Sequence, residues 1–387
     1  MAPDECSPPK DRALTGNRED LTQADRVLEI ACDESGSEGQ KLIGGNTDVF
    51  AHASVSLSTE LAARCIQETR DRAPSPTVEY KSGIIQRSKH RETLTWLLGP
   101  RGPLLGHAHV HLTDKTFYVV GRLADLVVGE IPYTPDIGLR QDPAARAMTV
   151  RLYHEGPLAF GAEQWNTLLG AFNDLMRARN NRGAPVSGDS FFDLVDDLRR
   201  SGARSPAGET AELLWRARPR VDAFRAHVLA NPGMIPALDT LIPAIVRAVA
   251  YWGEGSRPVA VVHDRQTLLT EERVVQLKEL FHARSPGGRL TSLTLVHSRW
   301  DPRVQVADLL AGAARKIASD ELNGRGDAEL TALLRPYVDS LSIWDDDPGP
   351  GAHSFHRGQS IKAEPETDRG HPALAPFADG VWTAGDR

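Results

Sequence analysis

The sequence predicts a mixed α/β protein whose sheet-forming parts are interrupted by a helical block. Two groups of short apolar stretches with strand character lie near the two ends of the central region. Each stretch is followed by, or alternates with, a 3.6-residue apolar pattern. Between residues 135 and 252 helical patterns run on without a convincing strand signal.

Residues 26–33, "RVLEIACD", read as the first strand, and 48–56, "DVFAHASVS", as the second, with Gly44 and Gly45 available to turn the chain between them. Ser58 is placed to start a helix, with Glu60 and Leu61 following and an apolar stripe reaching about Thr69. Residues 88–98 suggest a further short helix. Residues 104–112, "LLGHAHVHL", alternate like a strand, after which Thr113 or Asp114 can cap a helix running to Val128. The block 135–252 holds patterns such as "EQWNTLLGAFNDLMRARN" and "IPALDTLIPAIVRAVAYW". Strands return at 258–263, "PVAVVH", and at 289–297, "RLTSLTLVH". Helices follow them at 271–282 and about 303–319. The expected organisation is a tail over 1–25, a core in two parts (26–134 and 253–344), a helical insertion over 135–252, and a Pro/Gly/Asp-rich tail over 345–387. Both tails carry too little apolar surface to offset their ordering entropy.

The chain has 387 residues, 40% hydrophobic and 25% charged, the range of an ordinary globular protein. Its net charge of -7 means that any nucleic-acid binding must rest on a local basic surface. Candidates are "KSGIIQRSKHR" (81–91), "RRSGARS" and "RARPR", which read equally well as solvated surface. Three cysteines without close pairs argue against a disulfide framework or a cysteine zinc site. No apolar run reaches the roughly 18 residues of a membrane span, and the first 25 residues lack a signal-peptide core. A cytoplasmic protein without a membrane partner is expected.

Four constellations stand out. The strand 26–33 ends in Asp33-Glu34 and a Ser35-Gly36 turn, which suits either a polar loop or a metal ligand held at a strand tip. Asp264 closes a second apolar strand, where an Asp also commonly begins a turn; its neighbour His263 points to the opposite face. In "QVADLLAGAA" (305–314), Gln305, Asp308 and Gly312 share one helix face beside an apolar stripe of Val304, Ala307, Ala311 and Ala314. Asp308 there either meets something cationic or bonds locally to Gln305 or Arg315. In "EYK", Glu79 and Lys81 point the same way if extended, as a metal-and-phosphate pair or as a surface ion pair.

Taken together, "DESG" on the first strand, "EYK", "DK" at Asp114-Lys115, an Asp ending a later strand and "HSRWDPRVQVADLLAGAARK" resemble the DUF3800 family. The last helix signature and the aliphatic strand running into Asp-Glu-Ser-Gly are its most specific parts. The resemblance covers about 26–126 and 256–319 and leaves the helical block and tails aside. It implies a ribonuclease H-like mixed sheet flanked by helices, and a nuclease that hydrolyses RNA or DNA. Family members often occur near defence genes, which by association implies an antiphage role.

Elementary chemistry agrees with that fold. Acids at two strand tips and on one helix can converge on one end of a sheet, where they repel one another unless a cation neutralises them. Hard carboxylate oxygens favour Mg²⁺ or Mn²⁺, and two such ions about 4 Å apart suit phosphodiester cleavage. By resemblance, Asp33, Asp264 and Asp308 are the metal ligands, with Glu79 or Glu34 as the fourth acid, and Lys81 and Lys115 face phosphate. Ser35, Gln305, His109 and His111 are the further substrate-contact candidates. His107, His109 and His111 alternate on one predicted face, so zinc is conceivable there, although i, i+2 side chains about 7 Å apart strain such a site. The competing readings are a non-catalytic nucleic-acid-binding or assembly module and a nucleotide phosphohydrolase with the helical block as its lid. Oligomeric state is left open, a homo-oligomer included.

Overall fold

The computed structural model describes residues 27–77, 80–128, 143–177, 188–201, 206–231, 233–253, 257–283 and 289–345. The tail expected over 1–25, nearly all of the one over 345–387, and Glu79 lie outside these residues. The protein is an α/β structure built on a five-stranded mixed sheet. Its first half runs β1 (Leu28–Ser35), β2 (Val49–Val55), α1 (Thr59–Arg72), α2 (Ser82–Ile85), α3 (Arg91–Leu98), β3 (Ala108–Asp114) and α4 (Lys115–Val128). The helical stretch follows as α5 (Pro143–Phe160), α6 (Ala162–Met176), α7 (Asp189–Ser201), α8 (Pro206–Arg216), α9 (Arg218–Ala230) and α10 (Leu241–Trp252). The chain then returns through β4 (Pro258–Asp264), α11 (Glu271–Ala283), β5 (Arg289–Val296), α12 (Pro302–Leu322) and α13 (Ala328–Leu334).

Strand order is β3-β2-β1-β4-β5. β1 pairs antiparallel with β2, and β2 with β3. β4 joins β1 in parallel and β5 joins β4 in parallel. The two chain segments that form the sheet therefore meet at β1 and β4, in its middle.

Side-chain alternation divides the sheet into two buried faces. Ala31, Val49, Ala51, Ala53, Val55, Val110, Leu112 and Val262 face a core that includes α1 and α12. α12 lies close across β1 and β2 because Ala307, Ala311, Gly312 and Ala314 are small and buried. Asp301 caps it, accepting from the Arg303 N–H at 2.9 Å, and Pro302 occupies its first position. On the opposite face Ile30, Cys32, Phe50, Val259 and Val261 pack against α10 and Leu277 of α11.

Among the described residues between 143 and 253 there is no strand, in keeping with the sequence pattern. Helices α4 to α9 share a core of their own around Phe117, Trp165, Phe172, Phe191 and Phe192. α10 differs: it falls inside the expected insertion yet packs on the sheet, so it belongs to the α/β body. β3 begins at Ala108, later than expected, because residues 101–107 form turns and Gly106 sits at φ +78°. It runs on to Asp114, where residues 338–343 cover its outer edge: Asp339 N–H donates to Val110 O and Ile343 N–H to Leu112 O. No helix among the described residues is long and apolar enough to cross a membrane.

Candidate functional site

β1 and β4 are parallel neighbours with Cys32 opposite His263, so their C-terminal ends, Asp33 and Asp264, arrive at the same end of the sheet. Alternation places both carboxylates on the α12 face, beyond Ala31 and Val262. α12 brings Asp308 to them across that face. Asp33 is buried (4% exposed), while Asp264 and Asp308 are half-buried. Burial pushes the Asp33 carboxyl well above the usual carboxylate range, and the charges of Glu34, Asp308 and Asp264 push it further. The Glu34 N–H, donating to Asp33 Oδ1 at 2.7 Å, opposes this. Asp264 is fixed by the Ser298 N–H, which donates to its Oδ1 at 2.8 Å. The sequence places these three acids on separate elements, and the fold brings Asp264 and Asp308 within electrostatic reach of Asp33.

Glu34 takes the other direction. Its Oε1 accepts from Gln266 Nε2, and its Oε2 lies 3.8 Å from His263 Nε2. Burial raises its carboxyl, although His263 and Gln266 counteract that. Of the two candidates for a fourth acid, Glu34 thus sits on the face away from α12, and Glu79 lies outside the described residues.

Lys81 immediately precedes α2, which rests on α12 where Ser82 meets Gly312; a Cβ on Gly312 would come within 2.0 Å of the Ser82 hydroxyl. Lys81 itself is exposed. Gln305 lies one turn before Asp308 and is half-buried. Ser35 accepts from Arg315 Nε at 2.9 Å. Gly36 completes the turn at φ +85°, with Val49 O 2.3 Å from where a Cβ would be.

Two expectations are corrected. Lys115 does not face substrate: it is buried, and its ammonium donates to Glu38 Oε2 (2.7 Å), Thr47 O (2.9 Å) and Thr47 Oγ1 (2.6 Å). All three donors are used to hold the β1–β2 connection. His109 and His111 do not line the acidic groove. They are buried on the opposite sheet face, beside Asp339, while His107 is exposed and precedes the strand.

Two further residues stand out on the elements that carry the acids, Arg315 on α12 and Trp300 in the turn before it. Arg315 stands two turns beyond Asp308 on α12. Sequence spacing offers it as a partner for Asp308, but the fold gives it to Ser35, beside a cleft of about 990 Å³ lined also by Gly44, Asn46, Thr47, Asn166 and Asn323. Trp300 is 73% exposed two residues after Ser298, with the Arg299 guanidinium 4.8 Å from its ring. An exposed Trp in the otherwise unremarkable turn "HSRWDP" is the signal that could have found it.

Among the described residues there is no group of three or more His, Cys, Asp or Glu side chains that could hold a metal ion. The donor type alone, carboxylate oxygen, is the one a hard divalent cation takes. Asp33, Asp264 and Asp308 are all-oxygen donors, and the repulsion that raises Asp33 is what a cation between them relieves. No protein-family model, curated protein or solved structure matches the chain.

Proposed function

We propose that this protein is a metal-dependent phosphodiesterase of ribonuclease H-like fold that cleaves RNA or DNA by a two-metal-ion mechanism. The observation that supports the reading is that the charges of Asp308, on the helix crossing the sheet, and of Asp264, on the neighbouring parallel strand tip, both act on Asp33. The strand arrangement, three antiparallel strands followed by two parallel ones, also supports the fold assignment.

In this reading the three aspartates hold Mg²⁺ or Mn²⁺. Such ions, when bound, lower the pKa of water and stabilise the leaving oxygen. The chain's own groups do the rest. The Ser298 N–H keeps Asp264 oriented. Lys81 before α2 and Arg315 on α12 are the candidate phosphate contacts. Trp300 gives a base a surface to stack on.

The test is cleavage of labelled single- and double-stranded oligonucleotides with Mg²⁺ or Mn²⁺, by wild type and by Asp308→Asn. The near-isosteric change should cost less than about 1.5 kcal/mol of stability, while cleavage falls by several orders of magnitude. A folded variant that cleaves at the wild-type rate would remove Asp308 from the chemistry. A nucleotide phosphohydrolase is the second reading. Hydrolysis of nucleoside triphosphates with intact oligonucleotides would select it, and binding without turnover of either would select a non-catalytic module.

A further inference from the structure

The cleft beside Arg315 lies between the loop that joins β1 to β2, helix α6 and the C-terminal half of α12. Its walls are tied in place. Asn173 of α6 is buried; it accepts from the Leu42 and Ile43 N–H groups at 2.8 and 3.0 Å and donates to Gln40 O at 2.9 Å. Further along the loop, Glu38 accepts from the Asn46 N–H at 2.6 Å and from the buried Lys115. Asp48 then accepts from Ser319 and Asn323 at the end of α12. These bonds hold the cleft as a preformed space, the usual condition of a small-molecule site.

Two features of the lining are not explained by packing. Gly170 sits inside α6, where glycine is costly relative to alanine. A Cβ there would meet no atom within 4 Å, so no close approach demands the glycine. Asn166, Gly170 and Asn173 follow one another at i, i+4 and i+7 on one face of α6, and the first two line the cleft. Gly44 of the loop also looks onto open space. The second feature is Arg315. Its stem packs on Gly36, where a Cβ would lie 2.8 Å from Arg315 Cδ, and its Nε donates to Ser35 at 2.9 Å. Among the described residues no carboxylate pairs with its guanidinium. Asp48 and Glu163 are the acids of the lining, and both Asp48 oxygens are taken by Ser319 and Asn323.

An oriented guanidinium without a carboxylate partner suits a phosphoryl group, which its two terminal nitrogens can meet together. The side-chain amides of Asn46 and Asn166 make no hydrogen bond among the described residues. Each both donates and accepts, as the edge of a base or a sugar hydroxyl requires. Leu42, Ile43, Gly44 and Gly170 offer apolar or flat surface to a planar ring. We propose that this cleft binds a nucleoside phosphomonoester, its phosphoryl group on Arg315 and its base and sugar between residues 42–46 and α6. A free nucleotide and the phosphorylated end of a strand both bring that chemistry. Arg315 stands seven residues, about 10 Å of helix, beyond Asp308. The site therefore goes beyond the catalytic reading and does not require that the acids hold metal.

The full chain, in EDTA so that no metal-dependent turnover intervenes, is titrated by calorimetry with each of the four ribonucleoside 5′-monophosphates, their nucleosides and inorganic phosphate. The expected result is saturable binding of at least one nucleotide at a single site, with its nucleoside and inorganic phosphate weaker by about tenfold or more. Arg315→Met should weaken nucleotide binding by about tenfold or more. Gly170→Leu should abolish it while melting no lower than wild type, since leucine favours the helix and its Cβ meets no neighbour. Competition separates the sources. Displacement by a 5′-phosphorylated oligonucleotide but not by its 5′-hydroxyl counterpart assigns a strand end, and displacement by neither assigns a free nucleotide; either supports the site. Equal displacement by both overturns the preference for a phosphomonoester. Wild-type protein that binds none of the four nucleotides overturns the proposal, as does unchanged binding by folded Arg315→Met and Gly170→Leu variants. No step here needs cleavage, so this outcome is separable from that of the nuclease test.

Discussion

Replacing Lys115 with Met tests whether this lysine is a structural strut or a phosphate ligand. Its ammonium is buried and its three donors are taken by Glu38 and Thr47. Partial burial pushes the Glu38 carboxyl up, but bonds from Lys115 and from the Asn46 and Thr47 backbone outweigh this and hold it at about 2. Relative to an ordinary value of 4.5, that drop corresponds to a ceiling of about 3 kcal/mol of stability at neutral pH. Burial simultaneously pulls the Lys115 ammonium down, a cost that Met does not carry. The net loss expected for Lys115→Met is therefore about 2 kcal/mol, measured by urea unfolding at pH 7. Glu38 is a depressed carboxyl, so its contribution is complete above pH 4.5 and disappears as pH falls through about 2. The gap between wild type and variant should narrow over that window. Substrate affinity of the folded variant should be unchanged. A variant as stable as wild type but with weakened oligonucleotide binding would refute the strut and restore Lys115 to the substrate.

Trp300→Ala should leave stability within about 0.5 kcal/mol, because the ring is exposed, while binding of single-stranded oligonucleotide, followed by anisotropy, weakens by about 1–3 kcal/mol; unchanged binding would exclude stacking there. Asp114 caps α4 through the Thr116 and Phe117 N–H groups and accepts from Tyr153, yet burial dominates and pushes its carboxyl up to about 6. Its folded form binds the proton more tightly, so wild type should gain up to about 3 kcal/mol relative to Asp114→Asn between pH 7 and pH 4. Parallel pH–stability curves for the two proteins would show that Asp114 does not titrate in this way.

The strands and helices were legible wherever period and capping agreed. Ser58 does cap α1, accepting from the Leu61 N–H, and Asp301-Pro302 does open α12. The two strand-tip aspartates were legible as well, since an acid closing an aliphatic run is a local signal. Their shared face was not, because it depends on the parallel pairing of β1 with β4 more than 200 residues later. The histidines show the limit of alternation. Every residue of β2 and β3 is buried, so the pattern tells that His109 and His111 share a face without telling which face. Lys115 misleads for a similar reason: a lysine opening a helix reads as exposed, and its partner Glu38 is 77 positions away. α10 is as helical as its neighbours in sequence, and only its packing assigns it to the sheet.

The central position of β1 has a consequence for synthesis. β1 and β2 are made early, but the partner for the other edge of β1 is β4 and the cover for its acid-bearing face is α12, both encoded near the far end of the described chain. At about 5–20 residues per second, roughly 15–50 s passes on the ribosome between completion of β2 and completion of α12. Until β4 is made the nascent hairpin presents an unpaired β1 edge, and until α12 is made an uncovered apolar face, a species prone to association and suited to chaperone capture. Asp33 acquires Asp264 only when β4 is made, and Asp308 only when α12 is made. A chain that ends before α12 therefore lacks Asp308, and one that ends before β4 lacks Asp264 as well.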